Sequence, residues 1–109
     1  MTNDVLQRLA ATIHGRRSEA AADSYTRQLL DAGPERCAKK LGEEATETVI
    51  AALGADTAAL TREAADLVYH LLVLLECRQV AWHDVLAELE ARVGTSGLAE
   101  KAARTKPSP

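Results

Sequence analysis

The 109 residues suffice for one domain with a modest core, and a formal net charge of −3 excludes the strongly basic surface on which nucleic-acid binders depend. Apolar residues make up 47% of the chain and aromatics only 3%, with no Phe; a core of Ala and Leu favours helices over sheet. No repeat or internal boundary divides the sequence, so residues 1–109 read as a single domain.

The first four residues are polar and show no charged-then-apolar leader. Residues 4–16 read as an amphipathic helix, with Val5, Leu6, Leu9 and Ile13 on one stripe, Asn3 or Asp4 as cap, and Gly15 ending it. Residues 18–24 are polar and alanine-rich and read as loop or a marginal helical turn. Ser24 can cap a short helix through Leu30, and Gly33-Pro34 punctuates it, with Pro34 suited to a first helical position. Residues 34–53 are helical in pattern, with Leu41, Ala45, Val49 and Ala52 on one stripe and Thr48 at its margin. Gly54 fits a stop, and Asp56 or Thr57 the next cap. The following helix covers residues 58–78. Its stretch 67–75 is apolar nearly all round, which predicts burial on every side. So small a chain can hardly cover that surface alone, and a subunit interface is expected. The same stretch is far short of the roughly 20 residues a membrane span needs; a soluble, cytoplasmic protein without membrane association is expected. Residues 82–93 form a last amphipathic helix, broken by Gly94-Thr95-Ser96-Gly97. A flexible tail is expected from about residue 95 to Pro109, carrying Lys101, Arg104 and Lys106.

The most informative feature is acidic. Glu44 and Glu47 precede the turn Gly54-Ala55-Asp56; Glu63 and Asp66 follow it, and both sets are centred on Ala55. In an antiparallel hairpin, residues equidistant from the turn lie at one height. Each pair has i, i+3 spacing, so its side chains share a helix face. Four carboxylates converging at one level repel each other unless a cation sits among them. Oxygen ligands suit a hard divalent ion, Mg²⁺ or Mn²⁺. Charged helix faces are usually just solvated, but these lie beside apolar stripes, interleaved with Ala45, Thr48, Val49, Ala64, Ala65 and Leu67. Glu43 adds a fifth carboxylate, either solvent-facing or acting beside the cluster as a partner of the metal's ligands or as a general base. Lys39 and Lys40 precede Glu43 and Glu44 by four residues. That is the weaker order for a helical ion pair, and it lies in the half of a helix whose dipole disfavours cations; a phosphate-binding role is the alternative to ion pairing.

Other polar residues discriminate less. His70, four residues after Asp66, either orients that carboxylate or is a satisfied core histidine. His14 and His83 read as surface or cap residues. Ser24, Tyr25 and Thr26 fit either helix capping or phosphate and ribose contacts. Cys37 and Cys77 are distant in sequence and lack metal-site spacing; they read as reduced, buried or half-buried thiols, with a disulfide as the alternative. No Ser-His-Asp arrangement, glycine-rich phosphate loop or zinc motif is present.

The segment Lys39-Lys40-Leu41-Gly42-Glu43-Glu44-Ala45-Thr46-Glu47, followed by Glu63-Ala64-Ala65-Asp66, resembles the phosphoribosyl-ATP pyrophosphatase family of histidine biosynthesis. That family belongs to the MazG-type all-α nucleoside triphosphate pyrophosphohydrolases, marked by Glu-Glu-x-x-Glu and Glu-x-x-Asp. The likeness extends to Ser24-Tyr25-Thr26, to Asp66-Leu67-Val68-Tyr69-His70-Leu71-Leu72, and to Ser96-Gly97-Leu98 with Glu100-Lys101 and Arg104. The acidic motif alone specifies the superfamily; the Lys-Lys-x-Gly prefix, the Tyr-His pair and the C-terminal segment favour this family.

The resemblance implies an all-α, MazG-like helical bundle completed by homodimerisation. It implies Mg²⁺-dependent hydrolysis of phosphoribosyl-ATP to phosphoribosyl-AMP and pyrophosphate. Glu44, Glu47, Glu63 and Asp66 become the expected metal ligands, Glu43 the residue that positions or deprotonates water, and Lys39, Lys40, Lys101 and Arg104 phosphate contacts. The alternatives are a house-cleaning pyrophosphatase acting on ordinary or damaged nucleoside triphosphates, and a non-enzymatic helical dimerisation module with a solvated acidic face.

Overall fold

A computed structural model describes residues 4–93 and Arg104. Within residues 4–93 five α-helices follow in order: α1 (Val5–Gly15), α2 (Tyr25–Ala32), α3 (Pro34–Ala52), α4 (Thr57–Cys77) and α5 (Trp82–Arg92). No strand occurs among the described residues, in keeping with the predicted all-α class. Residues 18–24, expected as loop or marginal helix, belong to a link with two single 3₁₀ turns, Arg16–Ser18 and Ala21–Asp23.

Local chemistry sets the boundaries. The Ser24 hydroxyl accepts the Arg27 backbone N–H at 3.1 Å and starts α2. Gly33, at φ 95°, makes the corner into α3 that a side chain resists, and Pro34 opens the new helix. Asp56 starts α4 by accepting N–H groups of Ala58 and Ala59 at 3.0 and 3.2 Å. Only residues 53–56 separate α3 from α4, so the two long helices fold back as an antiparallel hairpin and share the most extensive packing in the chain.

α1 and α2 pack on this hairpin. The core collects Ile13, Leu29, Leu30, Cys37, Leu72 and Val73, one contribution or two from each of the first four helices. The Cys37 thiol donates to the Leu29 carbonyl at 3.2 Å. Cys77, distant in sequence, packs against the same core. Both cysteines are free. Burial, with the neighbouring Cys77 adding, pushes the Cys37 thiol up to about 11, so it stays a packing group rather than a nucleophile. Outside the core, Glu76 joins α4 to the end of α1. Burial alone raises its carboxyl, but hydrogen bonds from Arg17 and His14 outweigh that and hold it below the ordinary range.

Two expectations are corrected. Val49 was expected on the packed stripe of α3, yet it is 61% exposed, and Ile50 and Leu53 beyond it are exposed too. The buried face is instead centred on Cys37, Leu41, Glu44, Ala45 and Thr48, so a carboxylate occupies a place that apolar periodicity assigns to hydrocarbon. Residues 67–75 were expected to be buried all round; within one chain only His70, Leu72 and Val73 are buried, and the other six are half-covered. Helices α1, α2 and α3 pack on α4 and cover it only in part, and among the described residues no further helix closes the rest. No helix among the described residues is long and apolar enough to cross a membrane.

Candidate active site

Equal distance from the hairpin turn becomes equal height. Carboxylate oxygens of Glu44 on α3 and of Glu63 and Asp66 on α4 all lie within 4.8 Å of one another. Glu47 stands beside this group, near enough for its carboxyl to act on both Glu44 and Glu63. Three of the four expected ligands are thus grouped, with Glu47 next to them. Thr48 fastens the hairpin at their level: its hydroxyl reaches the Glu44 carbonyl at 2.7 Å and the Glu63 carbonyl at 3.1 Å. The sequence places Thr48 on a stripe margin and beside the acidic positions of α3; its place four residues after Glu44 is the signal for this role.

The electrostatics are those of negative charge under compression. Burial raises the Glu44 carboxyl above its ordinary value, and the hydrogen bond and charge of Glu47 add to it against an opposing effect of His70. Burial likewise raises Glu63, followed by Glu47 and Asp66, with Arg62 opposing. One oxygen of Glu44 and one of Glu63 are buried without any hydrogen-bond partner. Buried polar atoms are normally satisfied. A hard cation satisfies two such carboxylate oxygens at once, so the donor set fits Mg²⁺ or Mn²⁺.

A pH dependence follows for the chelator-treated protein. A carboxyl whose value is raised in the folded state holds its proton more tightly there than in the unfolded chain. Stability therefore falls as pH rises from the ordinary value of 4.5 through the raised folded value. The melting temperature of Glu44→Gln relative to wild type should rise over that window, with pH titrations of both proteins by circular dichroism as the check. A constant difference from pH 4.5 to pH 7 would contradict the reading.

Around the cluster, Lys40 reaches Glu43 at 3.4 Å and Glu44 at 3.9 Å, so ion pairing, one of its two expected roles, is realised in this state. Glu43 is half-exposed at the rim, turned to Lys40. Lys39 is exposed and joins no ion pair among the described residues. Of the three hydroxyls at the α2 start, Ser24 caps, Thr26 bonds the Tyr69 hydroxyl, and Tyr25 remains half exposed with its ring edge toward His70. His70 bonds the main-chain carbonyl of Asp66 at 2.9 Å rather than its carboxylate. Arg104 is an exposed helical residue; Lys101 and the rest of the predicted tail lie outside the described residues.

A helical bundle whose longest hairpin carries a carboxylate cluster defines the class: an all-α protein with an acidic centre suited to a hard cation. Comparison with known proteins narrows it. Residues 6–93 match the family described as Phosphoribosyl-ATP pyrophosphohydrolase. A phosphoribosyl-ATP pyrophosphatase of Cereibacter sphaeroides is 55% identical over 100 residues, which cover 92% of this chain and 97% of that protein. Proteins of the same name from Jannaschia sp. and Dinoroseobacter shibae are 57% and 56% identical, over 91% and 92% of this chain and 97% and 98% of their own lengths. The chain belongs to the phosphoribosyl-ATP pyrophosphohydrolase family.

Proposed function

We propose that the chain hydrolyses phosphoribosyl-ATP to phosphoribosyl-AMP and pyrophosphate in histidine biosynthesis, as a cytoplasmic Mg²⁺-dependent homodimer. The observation that carries this reading is the carboxylate group of Glu44, Glu63 and Asp66 with its two unpartnered buried oxygens, in a chain of this family. Glu44, Glu63 and Asp66 would hold the cation, with Glu47 as the fourth ligand. When bound, Mg²⁺ neutralises phosphate oxygens and makes a nearby water more acidic. Water adds to phosphorus and the α–β phosphoanhydride bond breaks, leaving pyrophosphate. Glu43, at the rim, positions or deprotonates that water. Lys39 and Lys40 on the same helix meet the triphosphate; Lys40 exchanges its carboxylate pairs for phosphate oxygens. Lys101 and Arg104 are further phosphate contacts in this reading.

A house-cleaning triphosphate pyrophosphatase would use the same carboxylates and differ in base and ribose contacts. Pyrophosphate release from phosphoribosyl-ATP beside ATP and dCTP, each with and without Mg²⁺, decides between them. Turnover of phosphoribosyl-ATP alone is expected; preference for ATP or dCTP would overturn the substrate assignment.

Mg²⁺ should also stabilise the protein without substrate. A ligand that binds only the folded state contributes about 2.7 kcal/mol at a hundredfold excess over Kd. At roughly 4 °C per kcal/mol for a domain near this size, the melting temperature should rise by roughly 10 °C and return with EDTA. No shift at millimolar Mg²⁺ would favour a merely solvated acidic face.

The half-covered side of α4 and the exposed Val49 and Ile50 support the homodimer. Leaving apolar area in water forgoes about 25 cal/mol per Å². Sedimentation at micromolar concentration should show a dimer or larger species, and Leu71→Asp should weaken it. A folded, active monomer would contradict this.

A further inference from the structure

We propose that His70 is a positioning residue whose Nε2 lone pair accepts a hydrogen bond from a water in the hydration shell of the cation held by Glu44, Glu63 and Asp66. The inference rests on the metal-site reading above. It starts from the Nδ1 contact to the Asp66 carbonyl at 2.9 Å. A carbonyl oxygen only accepts, so Nδ1 carries the hydrogen, and Nε2 of the neutral ring is left as an acceptor. The ring is held in place. Tyr69 lies edge-on at 5.2 Å and Tyr25 at 6.3 Å between centroids. Only 7% of the residue is exposed.

Nε2 is nonetheless buried with no partner. Among the described residues no hydrogen-bond donor reaches it. The Tyr69 hydroxyl is engaged with Thr26, Lys40 with Glu43 and Glu44, and the neighbouring carboxylates only accept. The missing donor therefore arrives with something bound. His70 is one helical turn beyond Asp66, whose main-chain carbonyl it bonds, and its ring lies near the Glu44 carboxyl. It still stands outside the group of ligand atoms that lie within 4.8 Å of one another. That placement suits a partner of the cation's shell rather than a ligand. Mg²⁺ retains several waters when carboxylates bind it, and each needs acceptors for its hydrogens. Partners at this remove from a metal commonly set affinity and orientation by ten- to a hundredfold.

Two amide variants separate the ring's two nitrogens. His70→Asn keeps a donor where Nδ1 sits, and so the bond to the Asp66 carbonyl, but loses the distant acceptor. His70→Gln can return an oxygen to the Nε2 position. Mn²⁺ binding without substrate is read by electron paramagnetic resonance, with the metal-free melting temperature as control for folding. His70→Asn should melt within a few degrees of wild type and bind Mn²⁺ about tenfold more weakly. Its kcat should fall with little change in KM for phosphoribosyl-ATP, and His70→Gln should recover most of both losses. Wild-type Mn²⁺ affinity in His70→Asn would overturn the proposal, whatever happens to activity. A rise in KM at unchanged Mn²⁺ affinity would do so as well, and would assign the donor to substrate. If His70→Asn fails to fold, unrestored Mn²⁺ binding in a folded His70→Gln overturns it. Wild-type protein that binds no Mn²⁺ removes the metal-site reading itself, an outcome distinct from the others.

Discussion

Glu44→Gln should lower kcat for pyrophosphate release by more than about 100-fold while leaving the helices intact. Groups one shell removed from a metal already account for up to about 100-fold, and Glu44 is in direct reach of the cation site. The amide keeps the shape of the side chain and its oxygen but removes the charge that makes it a ligand. Glu63→Gln, Asp66→Asn and Glu47→Gln should behave alike, because their carboxyls form one group with Glu44. Residues acting as a unit lose function non-additively, so a double variant should be little worse than a single one. The same substitutions remove charge from a site where burial opposes it. The metal-free variants should therefore melt at or above the wild-type temperature at pH 7, while losing the upward shift with Mg²⁺. Near-normal turnover in any two of the four would sink the assignment of the metal site, and loss of helical circular dichroism would make the carboxylates structural.

Leu72→Asp should unfold the chain at neutral pH. Leu72 is 3% exposed and packs with Ile13, Leu29 and Val73 where α1, α2 and α4 meet. Truncating such a leucine to alanine costs about 2–5 kcal/mol. An ionised carboxylate in its place adds several kcal/mol of desolvation. The total stability of a domain this size is about 5–15 kcal/mol, so little or nothing remains. Leu53→Asp offers the contrast. Leu53 is 85% exposed at the end of the α3–α4 hairpin, and a surface change of this kind alters single-chain stability by about 0.5 kcal/mol at most. Urea unfolding followed by circular dichroism should show no cooperative transition for Leu72→Asp and a near-wild-type one for Leu53→Asp. A wild-type midpoint for Leu72→Asp would mean that the core is not where this packing puts it.

Much of this was already legible in residue order because its causes are local. Ser24, Gly33-Pro34 and Asp56 act within one helical turn, so the ends of α2, α3 and α4 follow from their own neighbourhoods. The acidic cluster was equally legible: a short turn and equal spacing on either side leave an antiparallel hairpin little choice about which side chains meet. Hydrophobic periodicity predicted α1 and α4 for the same reason.

What only the tertiary structure decided depends on which other helices cover each face. Periodicity put Val49 inside, but α3 turns Glu44 toward α4 and leaves Val49 exposed, a rotation set by packing around the hairpin. Cys37 and Cys77 share one core although they lie 40 positions apart in the sequence. Thr48 bridges two carbonyls on different helices, which no single-helix pattern records. His70 could be placed by sequence one turn from Asp66. Its choice of the carbonyl over the carboxylate, and the unpartnered nitrogen this leaves inside the site, depended on a ring orientation set by Tyr25 and Tyr69. Local chemistry therefore determined the helices and the level at which the carboxylates meet, while long-range packing determined which of their atoms are buried and in need of a partner.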